Sequence, residues 1–185
     1  MTKAIYKNQK QVDSVEYSIN QLTLLLKQGI QSNLSLDSDN PESERAIFVS
    51  RLRKFYDDCR KLVESILIIN PMFAPKAIGF YTQITDKIVI ATTHNVAKYL
   101  HPIANPTNSE KICVIAVGGY GRSEMAPFSD IDLLFVTPYK QTAWGESVIE
   151  SILYILWDLK LKIGYSVRTV DDCIRLGKLD ITIRT

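Results

Sequence analysis

Apolar residues recur at steps of three or four through much of the first hundred positions. Val12, Val15, Ile19, Leu22 and Leu26 fall on one face of a helix, and Gly29 supplies a stop. The polar stretch Ser32–Asn40 reads as a loop. Asn40-Pro41 then predicts an N-cap followed by proline at the first helical position, with Glu42 and Glu44 in the first turn. Phe48, Leu52, Phe55, Cys59, Leu62 and Ile66 keep the helical period until Pro71 and Pro75 break it. Phe80, Ile84, Ile88 and Ala91 mark a third helix. All these positions read as packing between helices.

The rhythm changes after His101–Glu110, a linker by composition. Ile112–Val117 is a continuous apolar run next to glycines, as expected of a strand buried on both faces. Ile131–Val136 is a second such run. Val148, Ile152, Ile155 and Leu159 mark an amphipathic helix between Ala143 and Leu159. Leu161–Arg168 reads as a third strand and Val170–Leu176 as a short helix. The predicted order is strand, glycine turn with a short helix, strand, helix, strand, helix: an α/β arrangement preceded by helices. The expected division is a helical region at 1–102, a linker at 103–110 and an α/β domain at 111–185.

Composition narrows the class. The chain has 185 residues, 46% of them hydrophobic and 23% charged, which excludes a disordered or collagen-like chain. A net charge of +2 does not advertise a nucleic-acid or anionic-membrane surface. No apolar run approaches the roughly 20 residues that span a bilayer, and the first residues lack the apolar core of a secretory signal. Cys59, Cys113 and Cys173 are odd in number and far apart, which argues against both a disulfide framework and a zinc site. A cytoplasmic location without nucleic-acid or membrane partners is expected. Cys113 reads as a small hydrophobe in a buried strand. His94 and His101 read as isolated, and Trp144, Tyr154 and Trp157 as core or rim packing.

The chemistry concentrates in Val117–Asp132. Three glycines, Gly118, Gly119 and Gly121, follow a strand directly, where glycine permits close approach of a ligand to the backbone. A turn leading into a helix leaves amides for phosphate; a plain tight turn is the alternative. No Gly-Lys-Ser/Thr follows, so this is not a P-loop, and the third glycine of a dinucleotide fingerprint is missing. Asp130 and Asp132 stand two apart at the start of the second strand, so period-two geometry points both carboxylates to one face. Two anions there repel unless a cation lies between them, and oxygen ligands suit Mg²⁺ shared with substrate phosphates; a plain strand-entry pair, with Asp130 as a turn residue, is the alternative. The sum for residues 111–185 is nine basic and nine acidic residues, so a phosphate site in this half would rest on backbone geometry and metal.

Gly-Gly followed eleven positions later by Asp-x-Asp (Gly119, Asp130 and Asp132) resembles the signature of the DNA polymerase β-type nucleotidyltransferases. The blocks VGGYGRSEMAPFSDIDLLF, LWDLKLKIGYSVRTVDDC and LDITIRT, in that order, more closely resemble the N-terminal catalytic domain of the bifunctional PII uridylyltransferase/uridylyl-removing enzymes of nitrogen control. The resemblance covers roughly 111–185. It implies an α+β nucleotidyltransferase fold that transfers UMP from UTP to a tyrosine hydroxyl of the PII signalling protein and releases pyrophosphate. It further implies that Gly118 and Gly119 hold the triphosphate and that Asp130 and Asp132 hold Mg²⁺ and are the catalytic pair. Ser129 contacts phosphate or caps the start of the strand; Arg122 contacts phosphate or locks the turn through Glu124.

Many members of the wider superfamily carry a third carboxylate on a later strand as the base for the acceptor hydroxyl. Lys162–Arg168 contains no acid, which leaves Asp180 as the nearest substitute and Asp158, Asp171 and Asp172 as weaker ones. The family also has an HD domain and ACT domains. The chain is expected to be a piece of such an enzyme, its nucleotidyltransferase domain incomplete at the C-terminus and inactive alone. An adenylyltransferase of the same fold, or a non-catalytic nucleotide- or partner-binding fragment, are the alternatives, because no residue here identifies uracil.

Overall fold

The computed structural model describes residues 2–28 and 41–179, with side chains described for 13–28 and 44–179. The elements, in order, are the helices α1 (Thr2–Gln28), α2 (Pro41–Ile69) and α3 (Ala74–Asn95), then β1 (Cys113–Ala116), α4 (Gly118–Gly121), β2 (Ile131–Thr137), α5 (Ala143–Asp158), β3 (Ile163–Thr169) and α6 (Val170–Leu179). A 3₁₀ turn at Pro71–Phe73 precedes α3, and a π-helical turn at Val96–Leu100 follows it. Gly29 and the Ser32–Asn40 segment lie outside the described residues.

The chain forms two compact units. The first comprises Met1–Ala91 with Ser123–Pro127. Its core takes most of the helical positions that the periodicity marks, with Leu22, Leu26, Phe48, Leu52, Phe55, Cys59, Ile66, Ile84, Ile88 and Ala91 buried; Val15, Ile19 and Phe80 are half-buried, and the Val12 side chain lies outside the described ones. Leu62 is only half-buried and Val63 takes the core position beside it. Burial pushes the Cys59 thiol up to about 12, with the Asp58 charge adding to the effect, so this cysteine behaves as a hydrophobe. Pro71 does end α2, but Pro75 stands in the first turn of α3, where a missing N–H costs no helical bond. Phe73 stacks on Phe80 at 5.9 Å across this junction.

The second unit comprises Thr92–Arg122 and Phe128–Thr185. Its sheet has the order β1-β2-β3, with β1 antiparallel and β2 parallel to their next strands. The parallel pair requires a crossover, and α5 provides it, packing on β3. Thr142 caps α5 by accepting a hydrogen bond from the Gly145 amide at 3.1 Å. The α5 face that turns inward carries Val148, Ile149, Ile152, Ile155 and Leu156.

The strands are not buried on both faces. In β2, Ile131, Leu133, Phe135 and Thr137 are buried, whereas the alternate positions are half-buried. On β1, Cys113 is exposed and Ile115 is 40% exposed. The physical reason is that β1 is an edge strand and the sheet has one well-covered face; a short apolar run does not distinguish one covered face from two. His101 also has partners: its Nε2 lies 2.8 Å from Ser151 Oγ, and its carbonyl accepts a hydrogen bond from Trp144 Nε1 at 2.9 Å. Burial lowers its imidazole pKa. Tyr154 and Trp157 stand at the rim, in edge contact at 5.7 Å.

Candidate active site

The glycine turn starts where β1 ends. Val117 is still extended, with φ −130° and ψ 179°, and its amide donates to the Asp132 carbonyl at 3.0 Å. Gly118 then takes φ +60°, a left-handed conformation that costs a side-chain-bearing residue about 1–2 kcal/mol. That one residue swings the chain off the sheet into α4. The first hydrogen bond of the turn runs from the Gly121 amide to the Val117 carbonyl at 2.9 Å. The Gly118 and Gly119 amides precede that bond. Arg122 closes the turn through its own amide, which donates to Gly118 O at 3.3 Å.

Asp130 is exposed and immediately precedes β2; Asp132 is the second residue of β2 and half-buried. The alternation of β2 places Asp132 with Leu134 and Val136, opposite the buried Ile131, Leu133 and Phe135. Asp130 has the same parity. The backbone at Asp132 is pinned by both neighbouring strands, by β1 through Val117 and by β3 through its pairing with Gly164. Ser129 is half-buried and follows Phe128, whose φ is +67°.

The carboxylate of Asp132 lies against two glycines. A side-chain carbon on Gly118 would stand 2.6 Å from Oδ2, and one on Gly164 would overlap Oδ1. Sequence reasoning names Gly118 and misses Gly164. The available signal is a lone glycine inside a strand pattern, which marks close approach of another group. Neither the Asp130 nor the Asp132 carboxylate makes a hydrogen bond or ion pair with a described residue. Hard oxygen donors without a protein cation fit Mg²⁺. Among the described residues no group of three acidic, histidine or cysteine ligands forms a fuller metal cage, so a cation here would take its remaining ligands from substrate and water. Asp180 lies outside the described residues. Of the other acids, Asp171 and Asp172 stand in the first turn of α6, and Asp158 ends α5.

A family model described as "Nucleotidyltransferase domain" matches residues 104–175, which contain the glycine turn, both aspartates and Gly164. Among curated proteins, the chain is 54% identical over 141 residues to a "Bifunctional uridylyltransferase/uridylyl-removing enzyme" of Ruegeria pomeroyi, covering 76% of this chain and 16% of that protein. The protein of the same description from Caulobacter vibrioides is 53% identical over 157 residues, 83% of this chain and 16% of its own length. That from Novosphingobium aromaticivorans is 40% identical over 148 residues, 80% and 16%. The chain therefore spans about 16% of the length of these relatives. A match over 83% of the chain reaches well into the helical half, which carries no motif of its own. No solved structure matches the chain. No described helix is long and apolar enough to cross a membrane.

Proposed function

This chain being a homologue of the bifunctional uridylyltransferase/uridylyl-removing enzymes, with a nucleotidyltransferase domain at 104–175, we propose that it carries the triphosphate- and metal-binding part of a site that transfers UMP from UTP to a tyrosine of PII. In that reaction the tyrosine oxygen attacks the α-phosphorus, the bond to the β-phosphate oxygen breaks, and pyrophosphate leaves with the electron pair. The tyrosine proton passes to a base. The observation that supports the reading best is the Asp132 carboxylate standing between glycines at the mouth of the turn.

The Gly118 and Gly119 amides bind the triphosphate oxygens. Asp130 and Asp132 would hold Mg²⁺, which when bound offsets phosphate charge and stabilises the entering and leaving oxygens of an in-line displacement. Arg122, exposed at the end of the turn, adds positive charge on the phosphate side. Ser129, immediately before Asp130, would contact phosphate. In-line transfer depends mainly on positioning and electrostatics, which suits a site built on strand ends.

The test is calorimetric titration of the chain with UTP and with ATP, each with and without Mg²⁺. The expected result is Mg²⁺-dependent binding with UTP the tighter ligand. ATP binding as tightly as UTP would overturn the uridylyl assignment, and no nucleotide binding would overturn the site.

A further inference from the structure

We infer that Gly164 is a positioning residue for Asp132, holding a place empty so that the carboxylate keeps both oxygens free for a cation. The inference deepens the reading above and rests on it. Gly164 lies inside β3 and pairs directly with Asp132 across the parallel ladder. Paired residues of neighbouring strands stand side by side on the same face, about 4.8 Å apart along the hydrogen-bonding direction. Any side chain at 164 would therefore compete for the space beside Asp132. Glycine in a strand interior lowers local stability and packs nothing, so close approach is its physical justification here.

The orientation of the carboxylate is specific. Oδ1 fills the place of a Gly164 side-chain carbon and Oδ2 faces the corresponding place at Gly118. The group thus bridges the gap between β3 and the glycine turn. Metal-binding carboxylates are ordinarily fixed by hydrogen bonds from neighbouring groups. No described residue makes such a bond to Asp132; the shape of the backbone on either side limits its rotation instead. Shape fixes direction without occupying lone pairs. A methyl group at 164 would push Oδ1 out of the gap and turn the carboxylate from this orientation.

Gly164 tests this more cleanly than Gly118, because Gly118 also carries a left-handed φ and Gly164 has none. The measurement is titration of the chain with UTP plus Mg²⁺ for wild type, Gly164→Ala, Asp132→Asn and the Gly164→Ala/Asp132→Asn pair, with thermal melts of each. Gly164→Ala should weaken Mg²⁺-dependent UTP binding about 10- to 100-fold, the usual effect of losing the group that orients a metal ligand. In the Asp132→Asn background it should cost less than about twofold, because its effect runs through that carboxylate. Equal losses in both backgrounds would overturn the inference, as would wild-type binding by Gly164→Ala; either leaves the uridylyl reading standing. Absence of Mg²⁺-dependent binding by the wild type would overturn the reading and the inference with it. If Gly164→Ala does not fold, Gly164→Ala/Asp132→Ala removes the overlap. Recovery of its melting transition supports the contact, and no recovery overturns it.

Discussion

At Gly118, backbone conformation and site geometry meet in one residue. Its φ of +60° sets the turn, and its missing side chain leaves room for Asp132 Oδ2. Gly118→Ala should therefore fail twice. The left-handed backbone alone costs about 1–2 kcal/mol, and with the added overlap the melting temperature should fall by about 2–8 °C. Nucleotide binding should fall with it. A melt and a titration on the same variant check both, and an unchanged melt would show that the turn tolerates a side chain. The place of Asp132 opposite the buried residues of β2 was legible in the sequence from residue spacing, as was the glycine turn upstream. The role of Gly164 was not, because it depends on which strand pairs with β2 and in what register, and residue spacing carries neither.

The elements were legible where periodicity is long and illegible where two arrangements share one pattern. α2 and α5 follow from repeated apolar steps, and β2 is found where its apolar run predicts it. The same run does not tell whether one face or two are covered, so the exposure of Cys113 and Ile115 on β1 emerges only with the sheet order. The β3–α6 junction is another such case. Thr169 and Asp172 hydrogen-bond reciprocally: Thr169 Oγ1 donates to Asp172 Oδ2 at 2.8 Å and accepts from the Asp172 amide at 3.0 Å. With the Thr169 amide also donating to Asp172 Oδ2 at 3.3 Å, this is a capping box, a structural role that the acid's position in the sequence does not announce. Arg175, at 2.7 Å, and then Thr169 hold the Asp172 carboxyl down at about 2 from its ordinary 3.8. A depressed carboxyl pKa contributes stability that is present above the unfolded value and lost as pH falls toward the folded one. Asp172→Asn should therefore flatten the loss of stability between about pH 4 and pH 2, read by melts across that range; an unchanged slope would contradict the assignment. Thr169→Ala should cost about 1 kcal/mol through the lost cap, measurable by denaturant unfolding.

For the whole molecule, identity to its relatives extends over most of the chain, yet the chain accounts for about 16% of their length. Binding and turnover are thus separate questions. The proposed transfer needs a base for the acceptor proton; β3 carries no acid, and general-base catalysis is worth about 10²–10⁴-fold. On the proposed reading, transfer of UMP to PII by this chain should run at least about 100-fold slower than by a full-length uridylyltransferase under the same conditions. Mass spectrometry of the PII tyrosine after timed incubation measures this, and comparable rates would place a working base within these residues. The proposed site depends most on the carboxylate between the glycines, so the most direct measurement compares Mg²⁺-dependent UTP binding by the wild-type chain and by Asp132→Asn, with a melt of each. Mg²⁺ is expected to strengthen UTP binding by the wild type at least about tenfold and to have no effect on the variant. The variant should melt within about 2 °C of the wild type or above it, since one of two neighbouring anions is gone. Asp132→Asn binding UTP with the wild-type Mg²⁺ dependence would contradict the proposed site.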